Sequence, residues 1–138
     1  MTDDAQVMAM AAAYTAAWCS QVPASVAAHF AADGSLRINN GVPAIGRAAI
    51  AASAQAFMTS FPDIVVTMDS LQVDGRSAVY RWTLTGTNTG PGGTGNAVRI
   101  NGREEWSLAA DGSIARSLGY FNEAEYARQL REGVSPAP

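Results

Sequence analysis

Four segments between residues 64 and 121 alternate apolar and polar side chains with a period of two, and this run dictates what the chain can fold into. Ile64 to Val73 and Ser77 to Thr87 are separated by Asp74-Gly75; Ala97 to Ala109 and Ser113 to Phe121 are separated by Asp111-Gly112. Asp-Gly pairs adopt the positive φ angles of tight turns, so each outer pair of segments predicts an antiparallel hairpin. The middle connection, residues 88–96, holds four glycines and one proline, which predicts a flexible hairpin loop near a pocket mouth or a sheet edge.

The first half of the chain has the helical period instead. Val7, Met10, Ala11, Tyr14, Ala17 and Trp18 fall on one stripe behind Asp3 or Asp4 as a cap, which predicts a helix to about Ser20. Pro23 opens a short second helix through Phe30. Asp33-Gly34 reads as a turn and Ser35 to Asn39 as a strand with Leu36 and Ile38 on one face. Gly46 precedes a third helix from Arg47 to about Ser60, whose buried stripe is Ile50, Ala54, Phe57, Met58 and Phe61, with Pro62 as its stop. A last helix spans Glu123 to Arg131. Residues 1–132 read as one domain and 133–138 as a disordered tail. Helices first and a mostly antiparallel sheet afterwards define an α+β fold, in which the sheet curls around the first helix so that both apolar stripes are buried.

Composition narrows the function classes. Of the 138 residues, 48% are hydrophobic and 15% charged, a globular balance. The formal net charge is -3 and Lys and Arg form no run, so a nucleic-acid partner is not expected. The acidic start Met1-Thr2-Asp3-Asp4 does not resemble a signal peptide, and the Ala-rich stretch after it is too short and amphipathic for a membrane span; the expected location is cytoplasmic, with no membrane partner. Cys19 is the only cysteine and reads as a small buried hydrophobe rather than a nucleophile. His29, the only histidine, reads as a surface residue of the second helix. No metal-ligating cluster and no phosphate-cradling Gly-rich turn are evident, so no metal or cofactor is expected.

Parity along the strands picks out the candidate site. Tyr80, Trp82 and Leu84 share one face; Val98, Ile100, Glu104, Trp106 and Leu108 share the apolar face of the next strand, with Arg99, Asn101, Arg103, Glu105 and Ser107 opposite. Glu104 is thus a carboxyl among apolar neighbours, and desolvation there raises a carboxyl pKa and suits it to general-acid work. The other reading is a bulge near Gly102 that reverses parity and puts Glu104 in water. Tyr14 and Trp18, one helical turn apart, read either as core aromatics or as pocket wall with the Tyr14 hydroxyl aimed at a ligand.

Several short motifs add a resemblance. Phe30-Ala31-Ala32-Asp33-Gly34, Gly46-Arg47-Ala48-Ala49-Ile50, Phe61-Pro62-Asp63 and Gly86-Thr87-Asn88-Thr89-Gly90 occur in the order and spacing found in SnoaL-type polyketide cyclases. The resemblance runs from Ala17 to Leu130. It implies the cone-shaped α+β fold of the nuclear-transport-factor-2-like superfamily, an internal pocket, and a homodimer through the open sheet face. Where that family carries His and two acids near its last strand, this chain has Ser117, Gly119 and Asn122. A looser resemblance to ketosteroid isomerase matches Tyr14 and Glu104 to an oxyanion-binding pair, while Ile38 stands near the place of the base.

These readings converge on one expectation: a cofactor-independent enzyme for an apolar, polyketide-like or polycyclic molecule, working by cyclisation, isomerisation or epoxide opening. Glu104 and Tyr14 would be its catalytic groups. Trp18, Trp82, Trp106 and Phe121 would supply apolar walls, Asn40 or Asn88 would orient polar groups, and Phe57, Phe61, Leu84, Ser117 and Gly119 would complete the substrate-binding set. The rival expectation is a small-molecule binding protein on the same scaffold.

Overall fold

The structure, a computed structural model, describes residues 4–134. The chain runs α1 (Asp4–Trp18), α2 (Pro23–Ala27), β1 (Phe30–Ile38), β2 (Ala44–Ile45), α3 (Arg47–Ser60), β3 (Val65–Asp74), β4 (Ser77–Thr87), β5 (Ala97–Leu108), β6 (Ile114–Phe121) and α4 (Glu123–Glu132). The strands form one sheet in the order β2-β1-β6-β5-β4-β3. β1 and β6 run parallel; every other neighbouring pair is antiparallel. The fold is therefore α+β with a mostly antiparallel sheet. The cap expected at Asp3 and the tail at 135–138 lie outside the described residues.

α1 forms because its apolar residues recur at three- and four-residue spacing: Val7, Ala11, Tyr14, Ala17 and Trp18 are all buried. That stripe faces the sheet, where the Tyr14 ring meets the edges of Tyr80 and Trp106. α3 buries Ile50, Ala54 and Met58, and its Phe57 reaches the Trp18 ring. Tyr14, Phe30, Phe61, Tyr80 and Trp106 are at most 2% exposed. Each large side chain buried to this degree contributes roughly 1.5–3 kcal/mol.

Three local readings need correction. Phe30 ends no helix: it opens β1, because its parallel pairing with Ile114 draws it into the sheet. Asp33-Gly34 is not a turn but part of a register shift inside β1. A Cβ on Gly34 would stand 2.9 Å from the Ile114 carbonyl oxygen, so the glycine permits close approach of β6. Asp111-Gly112 sits in a five-residue connection, 109–113, rather than a two-residue turn. The Asp111 side chain shapes it by accepting from the Ser113 N–H and hydroxyl.

Cys19 also differs from expectation. It is exposed, and its thiol pairs with both backbone groups of Val66, at 3.3 and 3.4 Å. It thereby occupies hydrogen-bonding positions on the outer side of β3, an edge strand. His29 lies beyond α2 and is half-buried, its ring edge-on to Tyr14 at 5.9 Å; burial lowers its pKa.

Two of the motifs that carry the resemblance turn out to pack on one another. Asp63 accepts from the Thr87 N–H (2.7 Å) and hydroxyl (2.8 Å). Phe61 lies under Gly86, and the Gly90 N–H donates to the Ser60 carbonyl at 3.3 Å. A Cβ on Gly90 would fall 2.0 Å from the Thr59 carbonyl oxygen. Gly90→Ala is therefore expected to force the 88–96 loop off the end of α3. A destabilisation of about 2–3 kcal/mol is expected in urea denaturation, and an unchanged midpoint would refute this packing argument.

Candidate functional site

One face of the sheet and two helices line a half-open cavity of about 50 Å³. β4 contributes Tyr80, Trp82 and Leu84; β5 contributes Ile100 and Glu104; β6 contributes Gly119 and Phe121. Leu36 and Ile38 come from β1, Val66 from β3, Trp18 from α1 and Phe57 from α3. Strand parity explains this set. Ile38 pairs with Gly119, Gly119 with Glu104, and Glu104 with Tyr80, so four strands place these residues in one row on one face.

Pairing of β4 with β5 is unbroken from Ser77↔Ser107 to Thr87↔Ala97, so no bulge at Gly102 reverses parity. Glu104 is 7% exposed, and it is the only carboxyl in the cavity wall among the described residues. Its Oε1 accepts from the Ser117 hydroxyl (2.7 Å), the Trp106 indole N–H (2.9 Å) and the Tyr14 hydroxyl (3.0 Å). Its Oε2 lies 3.1 Å from the Tyr14 hydroxyl alone. No ion pair among the described residues involves Glu104.

Burial without a cation pushes the Glu104 carboxyl above its ordinary range, and the three donors, Trp106, Ser117 and Tyr14, oppose the rise. The Tyr14 hydroxyl is raised well above the usual phenol value, chiefly by burial and then by the nearby Glu104 charge, so it remains a donor. Five rings surround Tyr14 edge-on: Trp18, His29, Phe30, Tyr80 and Trp106. Tyr80 and Trp106 stack at 4.8 Å. Aromatic packing thus fixes both the hydroxyl and the indole that hold Glu104.

Of the residues singled out from sequence, Trp18, Phe57, Trp82, Leu84, Glu104, Gly119 and Phe121 line the cavity. Tyr14, Trp106 and Ser117 do not; they are buried behind Glu104 and touch it instead. Phe61 is wholly buried elsewhere, beneath Gly86 and against Tyr126. Asn88 is a loop brace: its Nδ2 donates to the Ser60 carbonyl and its Oδ1 accepts from the Thr94 N–H. Asn40 is exposed beyond the end of β1, where its Oδ1 accepts from Arg37. Sequence reasoning passed over Leu36, Ile38, Val66, Tyr80 and Ile100 as lining residues. Tyr80 shares the parity of Trp82 and Leu84, and that signal sufficed to find it.

Two positions without the acids found in the resembling cyclases also have structural accounts. Gly119 lies beside Glu104; a Cβ there would meet the Arg37 carbonyl oxygen at 3.5 Å and Glu104 Cγ at 3.9 Å, ordinary contact distances. Asn122 caps α4 by accepting from the Glu125 N–H at 2.9 Å.

Comparison with known proteins matches this description. Residues 11–117 fit the sequence profile of the SnoaL-like domain family, and the chain belongs to that family. No curated protein sequence matches it. Among solved structures, TsrD from Streptomyces laurentii superposes with a TM-score of 0.82 at 21% identity, over 94% of this chain and 98% of that one. SalBIII, an epoxide hydrolase/cyclase-like enzyme of pyran ring formation in the polyether salinomycin, gives 0.77 at 18% identity, over 90% and 96%. TerC, crystallised with polyporic acid, gives 0.78 at 14% identity, over 91% and 98%. At such identities the likeness shows the shared fold.

The raised Glu104 pKa has a definite consequence for stability. The folded chain keeps a proton that the unfolded chain loses near the ordinary value of 4.5. The stabilisation tied to that proton is complete below this value and is lost as pH rises through the raised one. In urea denaturation from about pH 4 to about pH 8, Glu104→Gln is expected to remove this component of the pH dependence. Glu104→Ala strands three buried donors and is expected to lose roughly 3 kcal/mol or more.

Proposed function

We propose that this chain is a cofactor-independent SnoaL-like enzyme acting on an apolar small molecule that carries a carbonyl or epoxide oxygen, with Glu104 as the proton donor. The supporting observation is the single buried carboxyl in an otherwise apolar wall, held by three donors and no cation. Protonated, Glu104 presents an O–H to the cavity from Oε2, the oxygen with the fewer partners. As negative charge grows on the substrate oxygen, the proton moves to it. The carboxylate left behind is met by hydrogen bonds from Tyr14, Trp106 and Ser117, already in position. Tyr14 is then a positioning residue, acting through Glu104 rather than on the substrate.

The proton balance points to rearrangement. No second carboxyl or histidine lines the cavity, so the proton Glu104 gives is returned to Glu104. In epoxide opening by an internal hydroxyl, Glu104 protonates the epoxide oxygen as its C–O bond breaks. The hydroxyl oxygen attacks the carbon, and its proton passes to the carboxylate. An isomerisation closes in the same way, with one proton given and another recovered.

Substrate breadth follows from the wall. At about 50 Å³ the cavity is smaller than the ~150 Å³ of a dry apolar cavity that admits benzene. A polyketide-like or polycyclic ligand therefore requires Phe57 and Phe121, both half-buried, to turn aside. The same reading places the protein in the cytoplasm as a homodimer. The dimer would form through the open sheet face, where Arg103 lies over the Tyr120 ring at 4.5 Å and pairs with Glu105 at 3.0 Å.

The rival reading, a binding protein without turnover, draws on Gly119 and Asn122 at the places of the family's acids. Glu104→Gln separates the two. With a substrate in hand, the variant is expected to bind it and to lose about 10²-fold or more in kcat. Tyr14→Phe removes one hydrogen bond that favours the carboxylate, so the Glu104 limb of the pH–rate profile is expected to move to higher pH. Undiminished turnover by Glu104→Gln would exclude Glu104 as the acid.

A further inference from the structure

We propose that the end of the cavity at Trp82 is a second polar contact for the ligand, where the Trp82 indole N–H donates to an oxygen of a molecule whose other oxygen meets Glu104. This inference rests on the reading of Glu104 as the group that faces a ligand oxygen, and it narrows the ligand to molecules with two acceptor oxygens.

Trp82 lines the cavity, yet its Nε1 is buried and reaches no acceptor among the described residues. The Trp106 indole behaves differently: it donates to Glu104 at 2.9 Å. A wall that needed only apolar area could be supplied by Phe or Leu, with no N–H to satisfy. Buried donors left without a partner are unfavourable and uncommon, and one in a cavity wall calls for a ligand acceptor.

The surroundings hold this indole in place. Gly102 faces Trp82 across β4–β5 and Phe121 across β5–β6. A Cβ on Gly102 would stand 2.6 Å from the Trp82 ring and 2.4 Å from the Tyr120 carbonyl oxygen, so the indole lies over bare backbone. Phe121 packs edge-on to Trp82 at 6.1 Å. A second buried donor without an acceptor is Asn39 Nδ2. The Phe121 N–H donates to Asn39 Oδ1 at 3.0 Å, which fixes the amide so that Nδ2 is the unused end. Phe121 thus touches two residues that carry an unused donor, Trp82 through its ring and Asn39 through its backbone N–H.

Trp82 stands across from Gly102, and Gly102 and Glu104 lie two residues apart on one strand face, so the indole and the carboxyl are neighbours along the cavity wall. A small ring with an oxygen at each end carries one acceptor for each of them. With oxygen at only one end it satisfies Glu104 and leaves Trp82 as it was.

The test compares 1,4-cyclohexanedione with cyclohexanone on the full chain, labelled for detection of tryptophan indole N–H and glutamate carboxyl signals. Both ketones are expected to perturb Glu104. Only the dione is expected to move the Trp82 indole proton downfield, and it should bind roughly three- to tenfold more tightly, the worth of one hydrogen bond. Trp82→Phe should bring the ratio of dione to cyclohexanone affinity to about one. If Trp82→Phe does not fold, the indole signal is assigned from its contacts with Phe121 ring protons, and the wild-type comparison decides. Equal affinity for the two ketones, with the Trp82 signal unmoved and Glu104 perturbed, overturns this inference and leaves the Glu104 reading standing. Failure of both ketones to perturb Glu104 overturns the two together.

Discussion

Glu104 enters the interior with no cation beside it, and the surrounding structure is organised by that burial. An ionised carboxylate in such surroundings is strongly disfavoured unless hydrogen bonds replace its water. Three side chains do so, from three separate elements: Tyr14 from α1, Trp106 from β5 and Ser117 from β6. The carboxyl therefore ties the first helix to the centre of the sheet across ninety residues of sequence. The aromatic shell around Tyr14 serves the same end, since a hydroxyl that could turn away would leave Glu104 short of a partner. Stability and chemistry share one set of contacts here, so a change that loosens the aromatic packing acts on the proton affinity of the acid.

The motifs that make the family recognisable do a different job. Phe61-Pro62-Asp63 and Gly86-Thr87-Asn88-Thr89-Gly90 meet at the far end of β4, where Asp63 braces Thr87 and Asn88 spans from Ser60 to Thr94. They join the end of α3 to the loop between β4 and β5. Their side chains do not line the cavity. Such motifs identify the scaffold strongly while leaving its chemistry open, which is why the fold followed from them and a reaction did not.

What could be read from the sequence follows the same division. Period-two alternation located β4 to the residue and placed Glu104 inward, because a strand with one buried face admits a single register. Helical spacing likewise found the α1 stripe. Long-range pairing was not legible. Nothing local in Phe30 or Asp33-Gly34 announces that β1 runs beside β6, and that parallel pairing converts an expected helix end and turn into strand. The same limit explains the polar residues. Asn40, Asn88 and Ser117 carry suitable groups for a ligand, but what each one touches depends on chain segments distant in sequence. Cys19 was misread for a similar reason: its partner, the backbone of Val66, is supplied by an edge strand 47 residues away.

A cavity with one acid and apolar walls also constrains the chemistry by what it cannot stabilise. An anionic ligand would place a second charge beside Glu104 with no counter-ion in the wall, and desolvation would oppose both. A neutral ligand oxygen would carry no such penalty, because a protonated carboxyl would offer it a hydrogen bond. On the proposed reading, an acid that is alone in the wall must recover its proton, so reactions that close on their own proton suit this site better than those that need a separate base. The small volume adds a second condition. The rings that would confine the ligand must first make room for it, so binding and closure involve the same side chains. Phe121 shares a row with Gly102 and Trp82, next to the row of Glu104, and packs edge-on against the Trp82 ring.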